Sequence, residues 1–214
     1  LSKGFDHVSG LLPAELLFKN NNISVDNIAV LSGPNHAEEI ILGKTSASVV
    51  SSRNKSFSKD LQLLFSSEDL RIYTSDDVVG VQIGAAVKNV IAVAAGIATG
   101  LKLGDNALSA LVSRGMNEIV LLSHVYSFRK ETLYGLSGLG DLIATCYSKH
   151  SRNRLCGELI ASGDSILNAK NRIGMVAEGY NTSKHLYKII NENNLDMPIC
   201  IEVYNILYKN HQPD

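Results

Sequence analysis

Hydrophobic and polar positions follow two rhythms along this chain. Up to about residue 75, short β-prone runs at Ile28 to Leu31, Ser46 to Ser51 and Leu70 to Tyr73 alternate with helical segments at Pro13 to Lys19, Pro34 to Leu42 and Ser58 to Phe65. Strand and helix in alternation predict α/β packing. From Asp77 onward the period lengthens to that of helices. A run of twenty-four residues after Asp77 carries one charge, Lys88. Gly104-Asp105-Asn106 then gives a turn and cap signal before a helix from Ala107 to about Phe128. Further helices are expected at Ser151 to Ala161, Glu178 to Asn191 and Pro198 to Tyr208. The pattern predicts a small α/β part over residues 1–76 and a mainly all-α domain over 77–214.

A lysine in so apolar a helix needs an explanation. On a helix its face is shared with Val81, Gly84, Ala85, Ala92, Ala95, Gly96 and Thr99, nearly all small. Small neighbours leave room for a second helix, a loop or a ligand beside the ammonium group. Partial desolvation there would lower the lysine pKa toward the range useful for proton transfer. Two other readings stand beside this one: a lysine that snorkels to the surface, and a membrane span, since ~20 apolar residues suffice to cross a bilayer. Against the span, the charge lies near the middle, glycines dilute the hydrophobicity and no aromatic or basic belt flanks it.

Composition narrows the classes. At 214 residues and 45% hydrophobic content the chain can bury a sizeable core. Net charge is −1, from twenty basic and twenty-one acidic residues, which gives no electrostatic case for nucleic acid or an anionic membrane. Three cysteines, Cys146, Cys156 and Cys200, read as reduced cytoplasmic thiols, and the scattered histidines predict no metal site. The opening Leu1-Ser2-Lys3-Gly4 looks like the end of an element, so the chain is expected to be a piece of a longer protein.

Three segments can carry chemistry. Ser32-Gly33-Pro34-Asn35-His36-Ala37-Glu38-Glu39 follows a strand and opens a helix, with Pro34 expected at the first helical position. Free N–H groups at such a start can hold an anionic ligand, although most strand-to-helix turns bind nothing and the sequence alone favours that ordinary reading. Ser151-Arg152-Asn153-Arg154 places an N-cap serine before an arginine in the first helical turn, where the helix dipole disfavours a cation. The choice there is between a nearby anion, phosphate above all, and a solvated arginine reaching elsewhere. Gly138-Leu139-Gly140-Asp141-Leu142 lacks the third glycine of a dinucleotide loop, Ile143 standing in its place. Asp141 is then either a helix N-cap or a polar site residue.

Taken in order, these segments resemble the NAD(P)-dependent glycerol-3-phosphate dehydrogenases of bacterial type. The matching pieces are Ser2-Lys3-Gly4, Leu31-Ser32-Gly33-Pro34, Val87-Lys88-Asn89-Val90, Ala94-Ala95-Gly96, Gly104-Asp105-Asn106, Gly138-Leu139-Gly140-Asp141-Leu142, Ser151-Arg152-Asn153-Arg154 and Val176-Ala177-Glu178-Gly179. The resemblance implies the later part of a Rossmann domain followed by a helical domain of the 6-phosphogluconate-dehydrogenase-like type. It implies interconversion of dihydroxyacetone phosphate and sn-glycerol 3-phosphate with NAD or NADP, feeding phospholipid synthesis in the cytoplasm, and it allows a homodimer. Lys88 matches the family's general acid/base. Lys3, Gly33, Asn35, Asp141, Ser151, Arg152 and Asn153 fall at substrate-contacting positions, and Lys3, Ala37, Arg152, Val176 and Glu178 at cofactor-contacting ones.

Departures from the family pattern are specific. The glycine-rich fingerprint and first Rossmann strands are absent from these residues, so the chain alone is expected to be inactive. After Gly33-Pro34 the family usually has Ser or Thr and then Phe, whereas Asn35-His36 stand here. Thr99-Gly100-Leu101-Lys102 replaces the usual Asp-Gly-Leu-Gly. Two other readings are a related hydroxyacid or 6-phosphogluconate-type dehydrogenase, and a non-catalytic helical interaction module.

Overall fold

The computed structural model describes residues 3–6, 8–21, 23–174 and 177–213, with the side chains of 20 and 21 also left aside. Val176, a cofactor-contacting expectation, therefore lies outside the described residues.

The first part holds three strands, β1 (Val30–Ser32), β2 (Ser46–Ser51) and β3 (Leu70–Ser75), in the order β1-β2-β3. β2 lies antiparallel to β1, with Val30 opposite Ser51, and parallel to β3, with Ser46 opposite Leu70. The parallel pair needs a crossover. That crossover is α3 (Lys55–Phe65), capped by Asn54, whose side chain accepts from the N–H groups of Ser56 and Phe57. Two other helices, α1 (Pro13–Asn21) and the short α2 (Ala37–Ile41), flank the strands in sequence. The expected start of α2 at Pro34 is corrected: the helix begins behind His36, and residues 34–36 run into it as a loop. Gly33, at φ +144°, bends the chain there before a proline can initiate a turn.

The second part is built around α4 (Val78–Gly100), in which every residue from Gly80 to Ala98 is buried. A helix apolar on all sides must be enclosed by protein or by lipid. Here protein encloses it, with Gly80 to Ala98 covered by the neighbouring elements of the fold. Asp77 caps it, accepting from Gly80 N–H at 2.9 Å, while its other oxygen accepts from Thr132 Oγ1 at 2.6 Å and Arg129 N–H at 2.9 Å. Around α4 stand α5 (Asp105–Leu121), α6 (Asp141–Tyr147), α7 (Arg152–Ala161), α9 (Glu178–Asn193) and α10 (Pro198–Lys209).

Glycines of α4 meet backbone of neighbouring segments. A Cβ on Gly96 would lie 1.9 Å from the Arg154 carbonyl, and one on Gly157 would lie 2.1 Å from the Val93 carbonyl. The paired glycines let α4 and α7 cross in direct backbone contact, which fixes Arg152 one turn before the crossing. On that face a second helix packs at Gly96 and the turn holding Ser137 and Gly138 packs at Gly84, while Lys88 itself borders a cavity.

Other differences from the expected pattern are local. The helix expected to reach Phe128 ends at Leu121 and tightens into a 3-10 turn over Leu122–His124. Two helices not anticipated are α6, entered through a π-helical turn at Leu136–Gly140, and α8 (Ile166–Ile173). α10 begins with Pro198 behind a Met197 that makes no capping bond. The buried Glu118 of α5 supplies the acceptors instead, at 2.8 Å from Ile199 N–H and 3.0 Å from Cys200 N–H.

Candidate active site

Lys88 occupies the middle of α4, is only 5% exposed, and does not snorkel. Its Nζ lies 2.7 Å from Asp141 Oδ1 and donates to Thr145 Oγ1 at 2.6 Å. Asp141 and Thr145 are four residues apart on α6 and so project from one face. The Thr145 hydroxyl donates in turn to the Asp141 carbonyl at 2.6 Å. Asp141 lies in the first turn of α6 and its side chain caps nothing there, so of its two readings the structure gives the polar site residue.

The second carboxylate oxygen of Asp141 reaches across to the first part of the chain. Lys3 Nζ donates to it at 2.8 Å and lies 3.4 Å from Asn35 Oδ1 and 3.5 Å from the Gly33 carbonyl. Asn35 is itself held by donating to Ser48 Oγ on β2 at 3.2 Å. One aspartate thus bridges two ammonium groups, one from each part of the fold. Burial lowers the Lys88 pKa most strongly, Asp141 partly restores it, and the like charge of Lys3 lowers it again.

A second chain of hydrogen bonds adjoins this triad. Asn89, next to Lys88, donates to Glu178 Oε2 at 2.9 Å and accepts from Asn153 Nδ2 at 3.0 Å, while Asn153 Oδ1 accepts from Gly179 N–H at 2.9 Å. These contacts tie α4, α7 and α9 together. Ser151 is the expected N-cap of α7, accepting from Arg154 N–H at 3.2 Å. Arg152 follows it as the first helical residue.

All of this opens on one cavity of 240 Å³. Its lining includes Lys3, Asn35, Ala37, Lys88, Asp141, Ser151, Arg152, Asn153 and Glu178, so every described site residue expected from sequence converges there except Gly33, which contributes through its carbonyl to Lys3. Asn153 differs in one respect from expectation: both ends of its amide are engaged by protein groups. Residues not singled out as site residues beforehand are Asn89, Thr145, His36, Glu38 and His150. Thr145 was findable, as it follows Asp141 by one helical turn; the histidines come from separate segments and carry no shared periodicity. Chemically, the cavity offers a buried ammonium able to exchange a proton and an arginine able to bind an oxyanion. Among the described residues, no three His, Cys, Asp or Glu side chains are grouped to hold a metal.

Comparison with known proteins shows the family. Residues 77–214 match the family described as NAD-dependent glycerol-3-phosphate dehydrogenase C-terminus, and residues 1–58 match its N-terminus counterpart. A protein of Oceanobacillus iheyensis named glycerol-3-phosphate dehydrogenase (NAD(P)+) is 42% identical over 212 residues, 99% of this chain and 62% of the relative. One of the same name from Clostridium botulinum is 43% identical over 213 residues, covering 64% of its length. The crystal structure of glycerol-3-phosphate dehydrogenase from Coxiella burnetii superposes with a TM-score of 0.84 at 38% identity, over 86% of this chain and 57% of that one. The chain therefore spans less than two thirds of the curated relatives it matches. With the family matched along most of its length and the short α/β part and helical domain of the known structures reproduced, the chain belongs to the NAD-dependent glycerol-3-phosphate dehydrogenase family.

Proposed function

We propose that these residues form the substrate pocket and proton-transfer centre of an enzyme that interconverts dihydroxyacetone phosphate and sn-glycerol 3-phosphate. The observation that carries the reading is the triad Lys3–Asp141–Lys88 opening on a cavity that also contains Arg152.

An ammonium group has three N–H donors. Lys88 directs two of them at Asp141 and Thr145, which leaves one for a substrate oxygen in the cavity. In the reducing direction Lys88 gives a proton to the C2 oxygen as negative charge develops on it. In the oxidising direction it takes that proton back. Asp141 keeps Lys88 charged despite burial and, by bridging to Lys3, places a second cation beside the same oxygen. Arg152, Ser151 and Asn153 are assigned to the phosphate end, where a guanidinium forms charge-assisted bonds.

NAD or NADP would supply or accept the hydride. What supports the nicotinamide end of such a cofactor here is Glu178, whose carboxylate lines the cavity, is held by Asn89 at 2.9 Å and keeps acceptor capacity for the NH2 of a carboxamide. Lys3, Ala37, Arg152 and Val176 are assigned to the same cofactor. The turn over 136–140 is π-helical, with Ser137 and Gly138 buried, and makes no pyrophosphate cradle. We therefore assign that cradle to residues beyond these 214, and expect the 214 residues alone to be inactive. On the same reading residues 1–76 end the dinucleotide-binding domain and 77–214 are the substrate domain. The enzyme would act in the cytoplasm, where its three free, buried thiols stay reduced, to supply glycerol phosphate for phospholipid synthesis, and the reading allows a homodimer.

The test is oxidation of NADH and of NADPH by the polypeptide extended upstream to the length of its relatives. Dependence on dihydroxyacetone phosphate supports the assignment. Turnover only with a β-hydroxyacid, or none from a well-folded protein, refutes it.

A further inference from the structure

The cavity is electrically balanced before any ligand enters. Its charged lining consists of three cations, Lys3, Lys88 and Arg152, and three anions, Glu38, Asp141 and Glu178. Asp141 is already committed to both lysines at 2.7 and 2.8 Å. A phosphate monoester brings about −1.5 to −2 charges at neutral pH. Desolvating such a group against a neutral wall is costly unless further positive charge is supplied.

The remaining titratable groups in the lining are two histidines. His36 stands at the head of α2, where its side chain makes no capping hydrogen bond. His150 projects from the loop between α6 and α7, its backbone N–H fastened to Ser148 Oγ at 3.0 Å, two residues before Arg152. The ring centroids are 6.3 Å apart and inclined at 50°. Rings at that separation and tilt are in ordinary aromatic contact, and both border the cavity beside Arg152, where an oxyanion can meet a nitrogen of each ring. Imidazole is also the side chain whose charge changes most readily near neutral pH.

We propose that His36 and His150, one from each part of the fold, hold the ligand's phosphate group between them beside Arg152, taking up protons as it binds. The proposal rests on the dehydrogenase reading for the identity of the ligand. Glycerol 3-phosphate and the dinucleotide both carry phosphate, and the two sources are separable.

The experiment is calorimetric titration of the 214-residue protein with glycerol 3-phosphate, glycerol and NAD+, each in buffers of differing ionisation enthalpy, with histidine ring resonances followed by NMR. His36→Phe, His150→Gln and the double variant are compared, with circular dichroism as the control for folding. Glycerol 3-phosphate is expected to bind with proton uptake and to shift two histidine resonances, which the single variants assign. Glycerol should do neither. The double variant should bind about tenfold or more weakly, the scale of lost bonds to a charged group, with less proton uptake. Shifts and uptake with NAD+ alone would assign the pair to the cofactor's phosphate. Equal affinity and equal uptake in wild type and double variant overturn the proposal while leaving the dehydrogenase reading intact. Absence of binding by the wild type overturns it also, and the turnover assay of the extended polypeptide then decides the wider reading separately.

Discussion

Replacing Asp141 by Asn should be among the most damaging single changes in the chain. The carboxylate makes two charge-assisted contacts, at 2.7 Å to Lys88 and 2.8 Å to Lys3, in a setting where its side chain is 4% exposed. A charge pair about 4 Å apart is worth about 4 kcal/mol at an effective dielectric of about 20, before desolvation is subtracted. Removing one member of a buried pair costs about 3–5 kcal/mol, because the surviving charge remains buried. Asn offers one acceptor and turns its NH2 toward the other ammonium group. We expect a loss of about 3–5 kcal/mol in urea denaturation at pH 7, against a total of roughly 5–15 kcal/mol for a protein. The loss should shrink as pH rises. Without Asp141, burial and Lys3 both push Lys88 toward neutrality, and a neutral Lys88 carries no penalty. In a Lys88→Met background the same substitution should cost less, with a coupling of about 0.5–3 kcal/mol. A loss under about 1 kcal/mol at pH 7, or full additivity with Lys88→Met, would refute the claim that Asp141 neutralises these lysines.

Three other consequences can be measured. Glu118→Ala strips the N–H groups of Ile199 and Cys200 of their acceptors; a cost of about 1–3 kcal/mol and a Tm lower by roughly 2–4 °C per kcal/mol are expected, and an unchanged melting curve would contradict the capping role. Gly157→Ala forces a Cβ to within 2.1 Å of the Val93 carbonyl, so α7 must move, with a loss of about 1–3 kcal/mol by thermal melting and weaker binding of glycerol 3-phosphate. Because the Lys88 pKa lies below 10.5, reduction, which needs the protonated acid, should fall with rising pH through a midpoint below that value, while oxidation rises. The sign for stability follows from the same shift: between the lowered pKa and 10.5 the unfolded chain binds the extra proton, so Lys88's contribution to stability rises with pH across that window. Lys88→Met should flatten it in urea titrations.

Much of the fold was legible because burial left a plain pattern. α4 announced itself as a long apolar run broken by one charge, and β2 was found with its observed limits, Ser46–Ser51, as a short run rich in Ser and Val. What escaped was structure that depends on distant partners. The Leu136–Gly140 turn holds two glycines, which local propensity reads as loop; packing against Leu133 and α4 makes it π-helical. The N-terminus of α10 takes its cap from Glu118, eighty-one positions away from Ile199. In the site, Lys88 was conspicuous as a lone charge among apolar residues, and Arg152 as a cation at the wrong end of a helix. That Lys3 meets the same aspartate could not come from spacing, since 138 residues separate them and only the fold joins the two parts. The histidine pair was invisible for the same reason.

The most direct test of the account is single-turnover reduction of dihydroxyacetone phosphate by the upstream-extended polypeptide, comparing wild type with Lys88→Ala at matched folding by circular dichroism. A proton donated by Lys88 in the transition state predicts a rate lower by about 10²–10⁴-fold, with substrate binding retained through Arg152. A variant that reduces the substrate within a few-fold of the wild-type rate would contradict the assignment of Lys88 as the acid.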